Sequence, residues 1–146
     1  TLVHLSSAFN REINRVLIRF SHDQACRPYQ QARETLLSLL SELRAQGQAI
    51  ALWGASGNGI SSLSQLKLAA DSIAFVIDSD PRKQGRFIPV SGQEIVAPQD
   101  PRLQAMDCIL ISSQFHTAEI ARQARELFQD KIRLFDLSGQ ELAATP

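Results

Sequence analysis

The glycine-rich stretch at residues 54–59 has the residue types and spacing best suited to ligand binding. Its outer glycines stand where the first and third glycines of a dinucleotide-binding turn stand, with a serine in the middle position. Such glycines permit a tight turn, close approach to a phosphate and close packing of the next helix, whose free N–H groups attract an anion. The alternative is a tight strand-to-helix turn that binds nothing. The predicted ligand-binding residues of the turn are Gly54, Ala55, Ser56, Gly57, Asn58 and Gly59.

An acidic residue follows the glycine turn by about 20 positions. Asp78 ends the apolar run 73–77, where a carboxylate usually binds the hydroxyl groups of a ribose. A carboxylate at this point disfavours a ligand that carries a 2′-phosphate. The alternative is a structural role, because Asp78-Ser79-Asp80-Pro81 is also a turn-forming sequence.

A polar segment follows the apolar run 108–111. The hydroxyl and amide groups of Ser112, Ser113 and Gln114 suit a sugar or a diphosphate, and they suit equally well the capping of a helix that begins at Thr117. His116 is a weak candidate for a general base, since the sequence identifies no acidic partner for it. The catalytic residues therefore stay unknown. No nucleophile elbow, Walker loop or metal-ligand spacing is present, and we predict no metal site.

Short apolar runs that alternate with helical periodicity would position these residues. The runs predict buried strands at 49–53, 73–77, 94–96, 108–111 and 132–135, with helices over about 60–69 and 117–128. The alternation predicts an α/β, Rossmann-like three-layer domain with a mainly parallel sheet in the order 3-2-1-4-5. The residues after 108–111 then lie where the strand order reverses, which is where open α/β sheets bind ligands.

The first 47 residues are predicted to be helical and to carry no chemistry. We therefore divide the chain into an N-terminal helical segment, 1–47, and a Rossmann-like nucleotide-binding domain, 48–146. Gly47 follows the second helix as a stop signal. The apolar faces of the two helices consist of Phe9, Ile13, Val16, Leu17 and Phe20, and of Ala32, Leu36, Leu40 and Leu43, with Leu37 and Leu39 widening the second.

Composition excludes several classes of function. The 146 residues carry 15 basic and 15 acidic side chains, so no net charge attracts the protein to nucleic acid or to an anionic membrane. No apolar run approaches the roughly 18 residues of a membrane span, and the N-terminus lacks the order of a signal peptide. Cys26 and Cys108 have no CxxC spacing. We expect a cytoplasmic protein with reduced thiols and no nucleic-acid or membrane partner.

Three stretches of the sequence resemble the C-terminal domain of sugar-nucleotide C-methyltransferases. They are Trp53–Gly59, Phe75–Asp78 and Pro81–Pro89, similar to that family's aromatic-Gly-Ala turn, Val-(Val/Ile)-Asp strand end and Lys-Gln-Gly-Arg-(Tyr/Phe)-(Leu/Ile)-Pro stretch. The third stretch is the most specific, and the resemblance covers over half of the chain. The sequence departs from the family pattern at position 58, where Asn replaces Lys, and at 90–92, where Val-Ser-Gly replaces Pro-Gly-Thr.

The resemblance implies a domain that binds a nucleotide-linked sugar and is not catalytic by itself. It implies that Lys83 and Arg86 join the ligand-binding residues. It also implies that S-adenosylmethionine binds a separate upstream domain of the same polypeptide, so we assign no cofactor to this chain. A looser similarity to N-terminal domains of sugar acyltransferases and sugar-nucleotide dehydratases also points to activated sugars. The alternatives are an NAD-dependent oxidoreductase-type Rossmann domain and a non-catalytic regulatory or scaffolding module.

Overall fold

The computed structural model of the chain describes residues 13, 15, 27, 28, 30–55, 59, 60, 63, 72–89, 91–113 and 115–143. These residues form a five-stranded parallel sheet in the order β3-β2-β1-β4-β5. The predicted α/β class and the predicted strand order are therefore confirmed. The strands are β1 Ile50–Trp53, β2 Phe75–Ile77, β3 Glu94–Val96, β4 Cys108–Ile111 and β5 Arg133–Asp136.

Helices precede this sheet and connect its strands. Residues 27, 28 and 30–45 are helical, and the continuous stretch 30–45 is called helix α1; helix α2 spans Thr117–Phe128. Short 3-10 helices lie at Pro101–Ala105 and Gln129–Lys131. In the helix predicted after the glycine turn, the described residues 59, 60 and 63 are helical. Most of the first predicted helix lies outside the described residues, although positions 13 and 15 are helical; its members Phe9, Val16, Leu17 and Phe20 are not described.

Each face of the sheet has its own core, because alternate side chains of a strand point to opposite faces. In β1, Ile50 and Leu52 pack on the α1 side, whereas Ala51 and Trp53 pack on the α2 side. The first core also contains Leu36, Leu40, Leu43, Leu63, Val76, Ile95, Leu110 and Phe135. The second also contains Ile77, Val96, Leu103, Ile109, Ile111, Ala121, Ala124, Phe128 and Leu134. The result is the layered arrangement that the sequence predicts, with helices on both faces.

Helix α1 ends as predicted, at a glycine that bends the chain into β1. Gly47 has a φ of 72°, in the left-handed region that favours glycine. Its N–H donates to Arg44 O at 2.9 Å, and Gln48 N donates to Leu43 O at 3.0 Å. This pair of bonds is a Schellman motif, which satisfies carbonyls at the end of a helix.

Both edges of the sheet are covered by short antiparallel segments, so few unpaired edge groups remain to template aggregation. On the β3 edge, Ile95 N donates to Arg86 O at 2.7 Å and Ile88 N donates to Gln93 O at 2.8 Å. On the β5 edge, Leu142 N donates to Leu134 O at 2.8 Å. The segment between β2 and β3, predicted as a loop, therefore contributes a small hairpin to the sheet edge.

The thiol of Cys108 is expected to be unreactive in the folded protein. The side chain is fully buried, and its Sγ–H donates to Gln48 Oε1 at 3.0 Å. Burial raises the pKa of the thiol to about 11, so little thiolate forms at mildly alkaline pH. In a Cys26→Ser background, we expect iodoacetamide to label Cys108 on the order of a hundredfold more slowly than in denaturant. Equal rates, measured by mass spectrometry, would contradict the buried position.

Candidate functional site

Of the predicted ligand-binding residues that the structure describes, Gly54, Asp78 and Ser112 directly follow β1, β2 and β4 at the carboxyl edge of the sheet. The parallel register places the ends of β1, β2 and β4 side by side, with β1 in the middle. The chain leaves β1 toward β2 and β3 in one direction, and β4 and β5 lie on the other side. The strand order therefore reverses between β1 and β4, which is where an open α/β sheet forms a ligand-binding crevice.

Gly54 makes the sharp turn that leaves β1. Its φ is 122°, a conformation that residues with a side chain rarely adopt. Its N–H donates to Ile77 O at 2.8 Å, which ties the turn to β2. A Cβ at this position would lie 2.3 Å from the Oγ of Ser112, which follows β4, so that hydroxyl group would have to move.

Gly59 brings the helix after the turn into close contact with the end of β1. A Cβ at this position would lie 1.8 Å from the carbonyl oxygen of Gly54 and 3.0 Å from its carbonyl carbon. Both are backbone atoms, which cannot rotate away as a flexible side chain can. The first and last glycines thus have two of the roles that the sequence predicts, a tight turn and close helix-to-strand packing.

Ser112 joins the end of β4 to the glycine turn. It is 3% exposed, its hydroxyl donates to Trp53 O at 2.9 Å, and its backbone N–H donates to the same carbonyl at 3.1 Å. The hydroxyl therefore orders the end of β1 from beneath the turn.

Asp78 lies at the end of β2 and connects three parts of the edge. Its Oδ2 accepts a hydrogen bond from Ala55 N at 2.9 Å and forms an ion pair with Lys83 Nζ at 3.2 Å. Its Oδ1 accepts from Asp80 N at 2.8 Å, which is the turn-forming role foreseen as the alternative. Because the Ala55 N–H donates to Asp78, it is not directed at a bound phosphate.

The stretch Pro81–Pro89, whose resemblance to the family pattern is the most specific, folds back onto Asp78. Lys83 reaches the carboxylate, and the amide of Gln84 donates to Asp78 O at 2.9 Å. Nearby, the guanidinium and backbone N–H of Arg82 lower the pKa of Asp80 to about 2, so this carboxyl group stays ionised. Arg86 is exposed beyond this turn, and within the described parts of the chain no ion pair holds its side chain.

The segment before α2 forms a local hydrogen-bonded turn, but the N-cap residue His116 makes no side-chain cap hydrogen bond, so the structure does not show the capping role given as the alternative. Ser113 Oγ accepts from His116 N at 3.0 Å, and the hydroxyl of Thr117 donates to Ser113 O. His116 is exposed and immediately precedes α2. Among the described residues, no carboxylate hydrogen-bonds its imidazole, so nothing there activates it as a general base.

The residues of the predicted site fall into three groups. Ser56, Gly57, Asn58 and Gln114 lie outside the described residues. In the described part of the site, hydrogen bonds or close contacts join Gly54, Ala55, Gly59, Asp78, Lys83 and Ser112 into one unit. No described hydrogen bond or ion pair joins Arg86 or His116 to the glycine turn.

A polar cleft beside Asp78 was not foreseen from the sequence. It is a cavity of about 250 Å³ lined by residues that include Ser79, Gln84, Pro98, Gln99, Glu126 and Leu127. These residues come from the segments that follow β2 and β3 and from the second half of α2. No short motif links them, so spacing within any one segment carries no signal of the cleft.

The described parts of the chain contain hydrogen-bonding groups but no candidate metal site. Over these parts of the chain, no group of three or more His, Cys, Asp or Glu residues is arranged to hold a metal ion. No helix within them is long and apolar enough to cross a membrane. The described residues of the edge include a glycine turn, a carboxylate at a strand end and hydroxyl groups, which are groups able to hydrogen-bond a polar ligand.

Comparison with known protein families agrees with this geometry. The family described as C-methyltransferase C-terminal domain matches residues 12–135, which is most of the chain. The chain belongs to this family. The resemblance noted from the glycine turn, the Asp78 strand end and the stretch at 81–89 is thereby confirmed.

The matched residues extend N-terminal to the sheet. They include α1, whose leucines share a core with β1 and β4. No curated protein matches the chain significantly.

Proposed function

We propose that this domain binds the nucleotide-sugar substrate of a methyltransferase or a related glycan-modifying enzyme, while a separate domain binds S-adenosylmethionine and transfers the methyl group. One observation carries the proposal. Asp78 hydrogen-bonds the glycine turn at Ala55 and also pairs with Lys83 from the family-specific stretch. The turn, the strand-end carboxylate and that stretch therefore act as one unit at the crevice where such sheets bind ligands.

The remaining hydrogen-bonding capacity of Asp78 is compatible with a ribose hydroxyl group. A carboxylate has about four lone-pair positions, and protein donors use three of them in Asp78. The side chain is 13% exposed, so a ligand hydroxyl group can reach the carboxylate, and the proposal assigns the fourth position to it. The proposed site would thus hold the ribose through one strong contact and the phosphates through the N-terminus of the helix after the turn.

A second candidate function follows from the same residue. Because protein groups already engage Asp78 so fully, the carboxylate can serve as an internal brace in a non-catalytic scaffolding domain. In that case the glycine turn would bind no ligand.

A thermal-shift panel of UDP-sugars, dTDP-sugars, NAD and S-adenosylmethionine would separate these functions. A ligand at about 100 times its dissociation constant stabilises a protein by about 2.7 kcal/mol, which raises the Tm by several degrees in a domain of this size. We expect a shift with sugar nucleotides. A shift with NAD alone would favour the oxidoreductase alternative, and no shift with any of these ligands would favour the scaffold.

A further inference from the structure

We propose that the polar cleft beside Asp78 binds the base of the nucleotide ligand. The inference rests on the proposed function and adds the part of the site that recognises which nucleotide is bound. The cleft lies where the ligand has to extend. The glycine turn follows β1, Asp78 follows β2, and Pro98 and Gln99 of the cleft follow β3, which is the next strand in the sheet.

The connectivity of a nucleotide matches this order of elements. A ribose carries its base on C1′ and, through C5′, its phosphates on C4′; these two carbons flank the ring oxygen, so the base and the phosphates extend away from the ring in diverging directions. With the phosphates at the turn and the ribose at Asp78, the base points away from β1 and toward β3. Ser79 is the next residue after Asp78, and the amide of Gln84 donates to Asp78 O, so the cleft begins where the ribose site ends.

The size of the cleft suits one ring system rather than a whole ligand. Its volume is about 250 Å³. Pockets that enclose a drug-sized ligand are larger, at roughly 300–1,000 Å³. A nucleotide sugar would therefore place only its base in the cleft and leave the diphosphate and the sugar over the turn.

The chemistry of the lining favours a neutral base over a phosphate. In the described residues that line the cleft there is no lysine or arginine, and Glu126 adds a carboxylate. Pro98 and Leu127 provide apolar walls for the faces of a ring. Gln99 is exposed, and its carboxamide has both a donor and an acceptor, which can pair with the alternating groups on the edge of a base.

Calorimetric titration of the full chain with UDP and with dTDP would test the base site. We expect Gln99→Ala to weaken the affinity for UDP by about 5-fold to about 100-fold, as expected for loss of one bidentate contact with a base. Gln99→Glu keeps the size of the side chain but replaces its donor, and it should weaken UDP binding at least as much. Gln104→Ala is the matched control, because Gln104 is also exposed and does not line the cleft.

Photo-crosslinking with 5-iodouridine 5′-diphosphate would locate the base directly. The proposal expects adducts on the segments that contain Gln99 or Leu127. Adducts elsewhere, or equal UDP affinities of the wild type and both Gln99 variants, would overturn the base site and leave the proposed function standing. A wild-type chain that binds neither UDP nor dTDP in the titration would overturn both.

Discussion

A Gly59→Ala variant is expected to lose about 2–4 kcal/mol of its free energy of unfolding, and to lose nucleotide binding with it. The added Cβ would lie 1.8 Å from Gly54 O and 3.2 Å from Ser112 Oγ. The carbonyl belongs to the turn itself, so the helix or the turn has to move. Either movement displaces the helix N-terminus that the proposed function assigns to the phosphates.

The sign of this effect distinguishes the close contact from ordinary helix propensity. Gly59 is helical, and alanine is favoured over glycine in a helix by about 1 kcal/mol. Propensity alone would therefore make the variant more stable. Only a contact with the backbone that cannot relax reverses the sign, and urea denaturation measures it through the transition midpoint at constant m-value.

Gly47→Ala provides the matched control for this substitution. Gly47 has a φ of 72°, and a Cβ there would meet no atom within 4 Å. The free energy of unfolding should fall only by the energy needed to hold alanine in the left-handed conformation, about 1–2 kcal/mol, and the affinity for UDP should not change. If Gly59→Ala proved as stable as the wild type, the helix would not approach β1 as the structure describes.

The elements with strong periodic signals were predictable from the sequence. The predicted bounds of β3, β4 and α2 agree with the structure, because apolar runs or a regular apolar face define them. The predicted strand 73–77 begins too early. Ile73 is fully buried but precedes β2, which starts at Phe75. A buried apolar residue therefore did not indicate where the hydrogen bonds of the strand begin.

Contacts between distant segments were less predictable. The spacing of the glycines indicated a turn, but not that a Cβ at position 59 would collide with the Gly54 carbonyl. The sequence left Asp78 open to a ribose role or a turn role. The bonds to Ala55 N and Asp80 N show the turn role, while the ribose role stays a prediction. The polar cleft had no signal at all, since its walls come from separate elements.

An Asp78→Ala variant is expected to lose about 2–4 kcal/mol of stability, the second large effect at this edge. The change leaves the N–H groups of Ala55 and Asp80 and the ammonium group of Lys83 without their acceptor. Hydrogen bonds to a charged group contribute about 1.5–3 kcal/mol each. The contributions of bonds that share one carboxylate are not fully additive. Chemical denaturation with two spectroscopic probes would measure the loss.

A double-mutant cycle with Lys83→Met would separate the ion pair from the two backbone bonds. The Lys83 side chain is 33% exposed, so solvent screens the pair, and we expect a coupling energy of about 1 kcal/mol or less. Most of the loss in Asp78→Ala should therefore persist in the Lys83→Met background. A coupling that accounts for the whole loss would mean that the bonds to Ala55 N and Asp80 N contribute little.

The relative affinities for UDP and its 2′-deoxy analogue distinguish a purely structural role of Asp78 from a contact with the ribose. The Asp78→Asn variant keeps the size of the side chain and an acceptor oxygen, but it has no negative charge to share with a hydroxyl group. If Asp78 only orders the turn, this variant should lower the affinities for UDP and for its 2′-deoxy analogue by the same factor, because both ligands need the same turn. If the free position of the carboxylate accepts from the 2′-hydroxyl, UDP should lose about tenfold more affinity than the deoxy compound, the worth of one hydrogen bond to a charged group. The ratio of the two losses is independent of how far the variant destabilises the fold, so it tests the ligand contact alone.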